Sequence, residues 1–195
     1  MHYIVGLGNP GEEYENTRHN MGRMVLWHFR SAESFPEWVE SKKYTALISE
    51  GALEGEKTLL LLPETYMNKS GASLKTLVLS PKKAEKLIVV YDDLDLPLGT
   101  FKISFGRGSG GHKGVESVIR AVKTKDFVRL RVGIAPVTPG GKLKKPKGER
   151  AVADFILGAF RPAERDILKK VFKKTDAALR AVIAHGRMRA MNEFN

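Results

Sequence analysis

Short apolar runs alternate along this chain with longer segments in which apolar residues recur at helical spacing. The runs predict β-strands, and the one over Leu87–Tyr91 has no polar interruption, which is typical of a strand buried at the centre of a sheet. Residues 50–55 lie between two other runs and predict a hairpin connection. The remaining predicted strands are His2–Gly6, Tyr44–Ser49, Lys57–Leu62, Phe101–Phe105 and Phe127–Ile134.

Helical spacing of apolar residues predicts helices between these strands. Met21–Arg30 follows Asn20, a residue type suited to cap a helix, and Pro81 is expected to end a helix over Ser70–Leu79. The other predicted helices are Gly114–Val122 and a long basic helix that begins with Pro162 and runs to about Gly186.

This order of elements predicts one α/β domain over residues 1–195. Its sheet is expected to be twisted, mixed and largely parallel, with helices on its flanks. Residues 137–150 combine glycine, proline and cations with almost nothing to bury, so they predict a mobile basic surface loop.

The amino-acid composition excludes several classes of site and of protein. The chain has 195 residues and no cysteine, which excludes disulfides, thiolate metal sites and a thiol nucleophile. No apolar run approaches the roughly 18 residues that a membrane span needs, and the start lacks a secretory signal pattern. A cytoplasmic protein with no membrane partner is therefore expected.

Charge is unevenly divided along the chain. The formal net charge is +11, but residues 1–100 carry −3 and residues 101–195 carry +14. Well-solvated lysine-rich helices would account for this bias, and so would a surface that faces a polyanion. The second interpretation predicts a nucleic-acid partner bound mainly by the second half.

Residues Gly6–Gly11 match the G-x-G-x-x-G pattern of dinucleotide-binding loops. Pro10 removes a backbone donor from the turn, and the charges of Glu12 and Glu13 would repel a pyrophosphate. No second strand ends in an acid about 20 residues further on, as that fold requires. A dinucleotide-dependent oxidoreductase is therefore disfavoured.

His19 lies at a predicted helix entrance, near the carboxyl end of the first strand, where α/β sheets place ligands. If Leu87–Tyr91 runs parallel to that strand, it delivers Asp92, Asp93 and Asp95 to the same edge. A carboxylate within reach of His19 would fix its tautomer and stabilise its imidazolium. Because the chain offers neither a thiol nor a convincing serine elbow, the expected nucleophile is water activated by His19.

Two polar loops add candidate binding groups. Residues 64–71 lie between a predicted strand and helix, and either Asn68 or Ser70 could act there simply as a helix cap. Residues 106–114 combine glycines with cations, so their backbone N–H groups could meet an oxyanion or a phosphate. A flexible loop would have the same composition.

Taken together, these segments resemble bacterial-type peptidyl-tRNA hydrolases, in order and spacing over roughly residues 1–160. Each block alone is weak, but the ordered set is specific. The matching blocks are Ile4–Gly11, Tyr14, Thr17–Asn20, Thr65–Gly71, Asp92–Gly99, Gly108–Gly114, Asp126–Ile134 and Ala151–Phe160.

The resemblance implies hydrolysis of the ester between a peptide and the 3′-terminal ribose of tRNA, which recycles tRNA dropped by the ribosome. It assigns His19 as the catalytic histidine and Asp92 as the carboxylate that orients it. It also implies that Asn9 and Asn68 position the scissile carbonyl, the water and the peptide backbone. Tyr14 and Met67 would line the cleft.

The resemblance also implies how substrate and tRNA are held. His112 and Lys113 fall in the substrate-binding block, although family members commonly have asparagine where this chain has Lys113. Lys102 and Arg131 are the nearest candidates for holding the acceptor stem, and Ser104 stands where a cation can occur.

The expected partner is the acceptor stem and 3′ end of peptidyl-tRNA. The resemblance implies no cofactor, no metal and no obligate protein partner, and a monomer is expected. Plastid splicing factors resemble the same family without its catalysis. The intact set of His19, Asp92, Asn9 and Asn68 argues against that alternative.

The charge division predicts that substrate binding weakens as salt rises. For each phosphate neutralised, log K should fall by roughly 0.7–0.9 per unit of log salt concentration. The measurement is KM for an N-blocked aminoacyl-tRNA over a range of salt concentrations. A KM that does not change with salt would show that the basic half does not face the RNA.

Overall fold

A computed structural model describes all 195 residues. Its seven strands form one mixed sheet in the order β2-β3-β4-β1-β5-β7-β6. The strands are β1 His2–Gly6, β2 Val39–Ser41, β3 Ala46–Leu53, β4 Glu56–Pro63, β5 Leu87–Pro97, β6 Phe101–Phe105 and β7 Val128–Ala135. The helices are α1 Met21–Ala32, α2 Pro81–Ala84, α3 Lys113–Val122, α4 Glu149–Leu157, α5 Pro162–His185 and α6 Arg187–Phe194.

Parallel pairing forms the centre of the sheet. β1 lies parallel to both β4 and β5, and β5 lies parallel to β7, whereas the outer pairs are antiparallel. Val5 pairs with Val89 and Gly6 with Val90, so β1 and β5 bring their carboxyl ends to one edge. The prediction of an α/β fold with a mixed, largely parallel sheet is confirmed.

Alternate side chains of the central strands pack into cores on opposite faces of the sheet. Ile4 belongs to the core that contains α1 and α5, and its neighbour Val5 belongs to the core that contains α3. Because both faces are covered, the central strands are continuous apolar runs rather than alternating ones. This burial explains why Leu87–Tyr91 could be identified from sequence.

Helix α1 approaches the sheet unusually closely at Gly22. A Cβ at this position would lie 2.2 Å from the carbonyl oxygen of Val90 and 2.5 Å from the amide nitrogen of Leu7. The amide of Leu7 itself donates to Val90, and the amide of Arg23 donates to Leu7. Glycine therefore allows the start of α1 to rest directly on the carboxyl ends of β1 and β5.

The helix predicted over Ser70–Leu79 is wrong. Residues Met67–Leu74 form a 3₁₀ segment instead, and Pro81 begins α2 rather than ending a helix. The hydroxyl of Ser73 donates to the carbonyl of Thr45, and the amide of Gly71 donates to the hydroxyl of Ser117. These tertiary bonds and the close packing of Gly71 on α3 outweigh local helix preference.

Several boundaries also differ from the prediction. β3 extends to Leu53 and β4 begins at Glu56, so the connection between them is shorter than predicted. Only Glu54 and Gly55 form the hairpin turn, and both have positive φ. β5 continues beyond Tyr91 to Pro97, so its acidic residues lie within the strand. The three-residue strand β2 is too short for a periodic signal, and α4 begins inside the segment 137–150 predicted as a loop. α5 ends at His185, and α6 follows.

None of the helices combines the length and the apolar character needed to cross a membrane.

The close packing at Gly22 predicts the effect of a single methyl group. Gly22→Ala should lower the free energy of unfolding by about 1–3 kcal/mol or more, because the contacted atoms are backbone. Gly108→Ala is the matched control, since a Cβ there meets nothing within 4 Å. Chemical unfolding of both variants tests this, and equal stability would contradict the packing argument.

Candidate active site

His19 and Asp92 meet at the carboxyl edge of β1 and β5. His19 lies in a 3₁₀ turn, Arg18–Asn20, that leads directly into α1 and is called the His19 turn below. Its Nδ1 lies 3.0 Å from Oδ1 and 3.1 Å from Oδ2 of Asp92. Asp92 is on β5, only two residues beyond the last pairing with β1. Both side chains are buried, and the parallel pairing of β1 and β5 places them at the same edge.

His112 is the second imidazole on the same carboxylate. Its Nε2 lies 3.1 Å from Oδ1 of Asp92. Its Nδ1 accepts the amide hydrogen of Val115 at 3.3 Å, which makes His112 the N-cap of α3. Because Nδ1 accepts, the proton of a neutral His112 ring is on Nε2 and is donated to Asp92.

Burial and charge act in opposite directions on Asp92 and His19. Burial raises the pKa of Asp92, but the adjacent His19 and His112 rings outweigh it and hold that pKa well below its usual range. Burial lowers the pKa of His19, but the charge and hydrogen bond of Asp92 reverse this, so the pKa is raised. The site therefore keeps an ionised carboxylate that favours a protonated His19.

Three hydrogen bonds hold Asn9 and leave its side-chain nitrogen, Nδ2, free. Oδ1 of Asn20 accepts from the amide of Asn9 at 2.8 Å, and Nδ2 of Asn20 donates to the carbonyl of Asn9 at 2.9 Å. Oδ1 of Asn9 accepts from the amide of Met67 at 2.8 Å. The side-chain NH₂ of Asn9 has no protein partner, so it remains available as a donor.

Asn20 has a different role from the predicted helix cap. It occupies the N-cap position of α1 but makes no side-chain capping bond. Both ends of its amide instead hold the backbone of Asn9. Only the folded chain brings these two residues together, so the sequence pattern alone gave no sign of this contact.

No side chain of the other predicted cleft residues bonds to His19, Asp92 or Asn9, although the backbone amide of Met67 donates to Asn9. Met67 is buried, and its sulfur packs where a Cβ on Gly114 would be. The side chain of Asn68 is exposed and makes no hydrogen bond. Tyr14 is half-buried at the end of a short 3₁₀ turn over Glu12–Tyr14.

Lys113 is the first residue of α3, next to His112. Its ammonium lies 3.9 Å from Glu149 at the start of α4, and both side chains are largely exposed. The positive charge of Lys113 opposes, weakly, the effect of Asp92 on the pKa of His19. A single exposed ion pair therefore links the first residue of α4 to the first residue of α3.

The predicted tRNA-binding residues are cross-strand neighbours on β6 and β7. Lys102 pairs in register with Arg131, and Lys102 is exposed. Nε of Arg131 donates to Oδ2 of Asp93 at 2.6 Å, which holds the guanidinium at the rim of the sheet. Ser104 pairs with Arg129, a buried residue that bonds the carbonyls of Arg107 and Gly108 and so anchors the glycine-rich loop.

His19, Asp92 and His112 also have the donor types of a metal site. Their ligand atoms all lie within 4.8 Å of one another. Two imidazoles and a carboxylate suit Zn²⁺. Both imidazoles already hydrogen-bond to the carboxylate of Asp92. The cluster is therefore also consistent with a hydrogen-bonded network that holds protons and no metal ion.

The buried carboxylate of Asp92 orients the imidazole of His19, and the side-chain NH₂ of Asn9 is a free donor nearby. No serine hydroxyl bonds to this imidazole. The arrangement is suited to a hydrolase that activates water. The peptidyl-tRNA hydrolase family model matches residues 3–195. The chain belongs to the peptidyl-tRNA hydrolase family, and it hydrolyses the ester bond of peptidyl-tRNA.

Similar proteins in sequence and in structure are also peptidyl-tRNA hydrolases. The peptidyl-tRNA hydrolase of Syntrophotalea carbinolica is 37% identical over 100% of this chain and 97% of its own length. That of Aquifex aeolicus is 41% identical over 98% and 95%, respectively. The crystal structure of peptidyl-tRNA hydrolase from Acinetobacter baumannii superimposes with a TM-score of 0.87 at 29% identity, covering 100% of this chain and 94% of that one.

The opposed effects on His19 predict the result of removing the carboxylate charge. In Asp92→Asn, burial acts without compensation, so the pKa of His19 should fall below its ordinary value. Histidine titration followed by NMR measures this. Asp95→Asn is the control, because Asp95 is exposed and pairs with Lys145. An unchanged His19 pKa in Asp92→Asn would contradict the assigned cause.

Proposed function

We propose that His19 is the general base of this hydrolysis and that Asp92 orients it. The observation that carries the proposal is the pair of contacts from Nδ1 of His19 to the carboxylate of Asp92. With its proton on Nδ1, His19 has Nε2 free to take a proton from water. A positioned base of this kind typically contributes about 10²–10⁴-fold in rate.

In the proposed reaction, water attacks the ester directly and no covalent enzyme intermediate forms. Nε2 of His19 takes one proton of the water as its oxygen attacks the ester carbonyl carbon, giving a tetrahedral oxyanion and an imidazolium. Collapse of this intermediate breaks the bond to the 3′ oxygen of the terminal ribose, which receives the proton from Nε2. The products are the free peptide acid and tRNA with its ribose hydroxyl restored.

Asn9 is the proposed donor to the oxyanion. Its Oδ1 is occupied by the amide of Met67 and its backbone by Asn20, so its orientation is fixed before substrate arrives. A preorganised donor of this type does not have to reorient as the charge develops. The exposed amide of Asn68 is proposed to hold the peptide backbone.

The family resemblance implied that His112 binds substrate, but both of its ring nitrogens are engaged within the protein, so we propose instead that it acts through Asp92. By donating Nε2–H to Oδ1 it supports the ionised carboxylate, and its N-cap bond ties this orientation to α3. Tyr14 and Met67 are proposed to line the cleft, and Lys113 to contact substrate at its entrance.

The acceptor stem is proposed to lie along the basic second half of the chain. Lys102 and Arg131 are neighbours across β6 and β7, so their charges can act together on a phosphate. We further propose that the part of segment 137–150 that precedes α4 is a mobile basic loop, and that one domain over residues 1–195 works as a monomer. It would need neither cofactor nor obligate protein partner, and would act in the cytoplasm, where ribosomes release its substrate.

The test is hydrolysis of an N-blocked aminoacyl-tRNA. His19→Ala should lower kcat by about 10²–10⁴-fold, because only the base is removed. His185→Ala is the matched control, since His185 is exposed at the end of α5. Undiminished release of tRNA by His19→Ala would refute the assignment of the base.

The same assay separates catalysis from RNA binding alone. A wild-type chain that binds tRNA but releases none from the ester would be a non-catalytic RNA-binding protein. We expect release by wild type and by His185→Ala, and retained tRNA affinity in His19→Ala.

A further inference from the structure

Arg18 directly precedes His19, yet its side chain bonds to residues more than 100 positions away. Its side chain is buried and reaches from the His19 turn to the junction of α4 with α5. We propose that Arg18 is a positioning residue that fixes α4 beside the entrance of the active site. This inference rests on the proposed function, because it assigns α4 as a wall of the substrate cleft.

The guanidinium of Arg18 joins three parts of the junction. Nη1 donates to the carbonyl of Gly158 at 3.1 Å and to that of Ala159 at 2.9 Å. Nη2 lies 2.9 Å and 3.2 Å from the two carboxylate oxygens of Glu164. One planar cation therefore binds the end of α4 and the first turn of α5 together.

Aromatic rings complete the setting of this cation. The guanidinium carbon lies 4.5 Å from the ring centre of Phe155 on α4 and 5.2 Å from that of Phe160. Cation–π attraction increases when the charge is desolvated, as it is for Arg18. Phe155 thus links α4 itself, and not only the junction, to the His19 turn.

Helix α4 has few other attachments. None of its residues is fully buried, although Phe155 and Ile156 pack partly against the core. Its first residue, Glu149, meets Lys113 at the start of α3. The helix therefore extends from Lys113, next to His112, to the anchor at Arg18, so loss of the anchor loosens the wall.

His19 itself does not depend on this anchor. Its ring is held by two contacts to Asp92. The backbone also keeps a separate link, because the amide of Arg18 donates to the carbonyl of Gly158 and that of Phe160 to the carbonyl of Asn16. Loss of the guanidinium should therefore loosen α4 while the chemistry of His19 persists.

Kinetics of Arg18→Met test the proposal with an N-blocked aminoacyl-tRNA. KM should rise about tenfold, comparable to the net contribution of a single charged hydrogen bond, while kcat stays within about twofold. The pH dependence of kcat should not shift, because Asp92 still controls His19. The salt dependence of KM should also keep its slope, since buried Arg18 meets no phosphate.

Two further variants cover the case in which Arg18→Met does not fold. Arg18→Lys keeps the charge but loses the planar fork, and Glu164→Gln keeps the shape but removes the negative charge. Both should raise KM in the same direction by smaller factors. Amide hydrogen exchange should be faster over 150–157 in each folded variant, with β5 unchanged.

The outcomes separate this inference from the proposed function. If wild type releases no tRNA, the proposed function fails. If wild type is active but a folded Arg18 variant loses kcat, or shows lower thermal stability with KM and α4 exchange unchanged, Arg18 does not position α4 and the inference is overturned.

Discussion

Asp92 is a single buried carboxylate shared by two imidazoles, and the rest of the site is arranged around its charge. An ionised carboxylate out of water must be matched by donors, and His19 and His112 supply them from opposite directions along the chain. His19 comes from the turn before α1, and His112 from the cap of α3. The carboxylate therefore joins the two helices that cover opposite faces of the sheet to the strand between them.

The arrangement that brings these groups together follows from backbone packing. Parallel pairing puts the carboxyl ends of β1 and β5 side by side. Gly22 then lets α1 rest on both strands, which fixes where the preceding His19 turn can lie. The orientation of the side-chain NH₂ of Asn9 depends on the same packing, because Asn20 in the His19 turn bonds the backbone of Asn9 in the loop after β1. Base, carboxylate and amide donor are thus positioned by one helix–sheet contact.

The sequence predicted the features that depend on local pattern. Apolar runs identified the central strands, and a parallel pairing of two of them predicted that Asp92, Asp93 and Asp95 would lie at the same edge as His19. The family resemblance then singled out Asp92. The sequence could not predict features that depend on distant partners. Met67–Leu74 is 3₁₀ because Thr45 and Ser117 bond its polar groups, and Asn20 binds Asn9 rather than capping α1. Arg18 and His112 likewise acquire their contacts only after residues far apart in the chain have packed.

The partial burial of α4 has a thermodynamic consequence. Segments with few buried apolar contacts open locally at a small fraction of the global unfolding free energy, whereas central strands open only when the whole domain unfolds. Asp92 lies on such a strand, and α4 has no fully buried residue. With α4 in the proposed role of cleft wall, the wall and the acid–base pair belong to different cooperative units, so the wall can move without disturbing the groups that react.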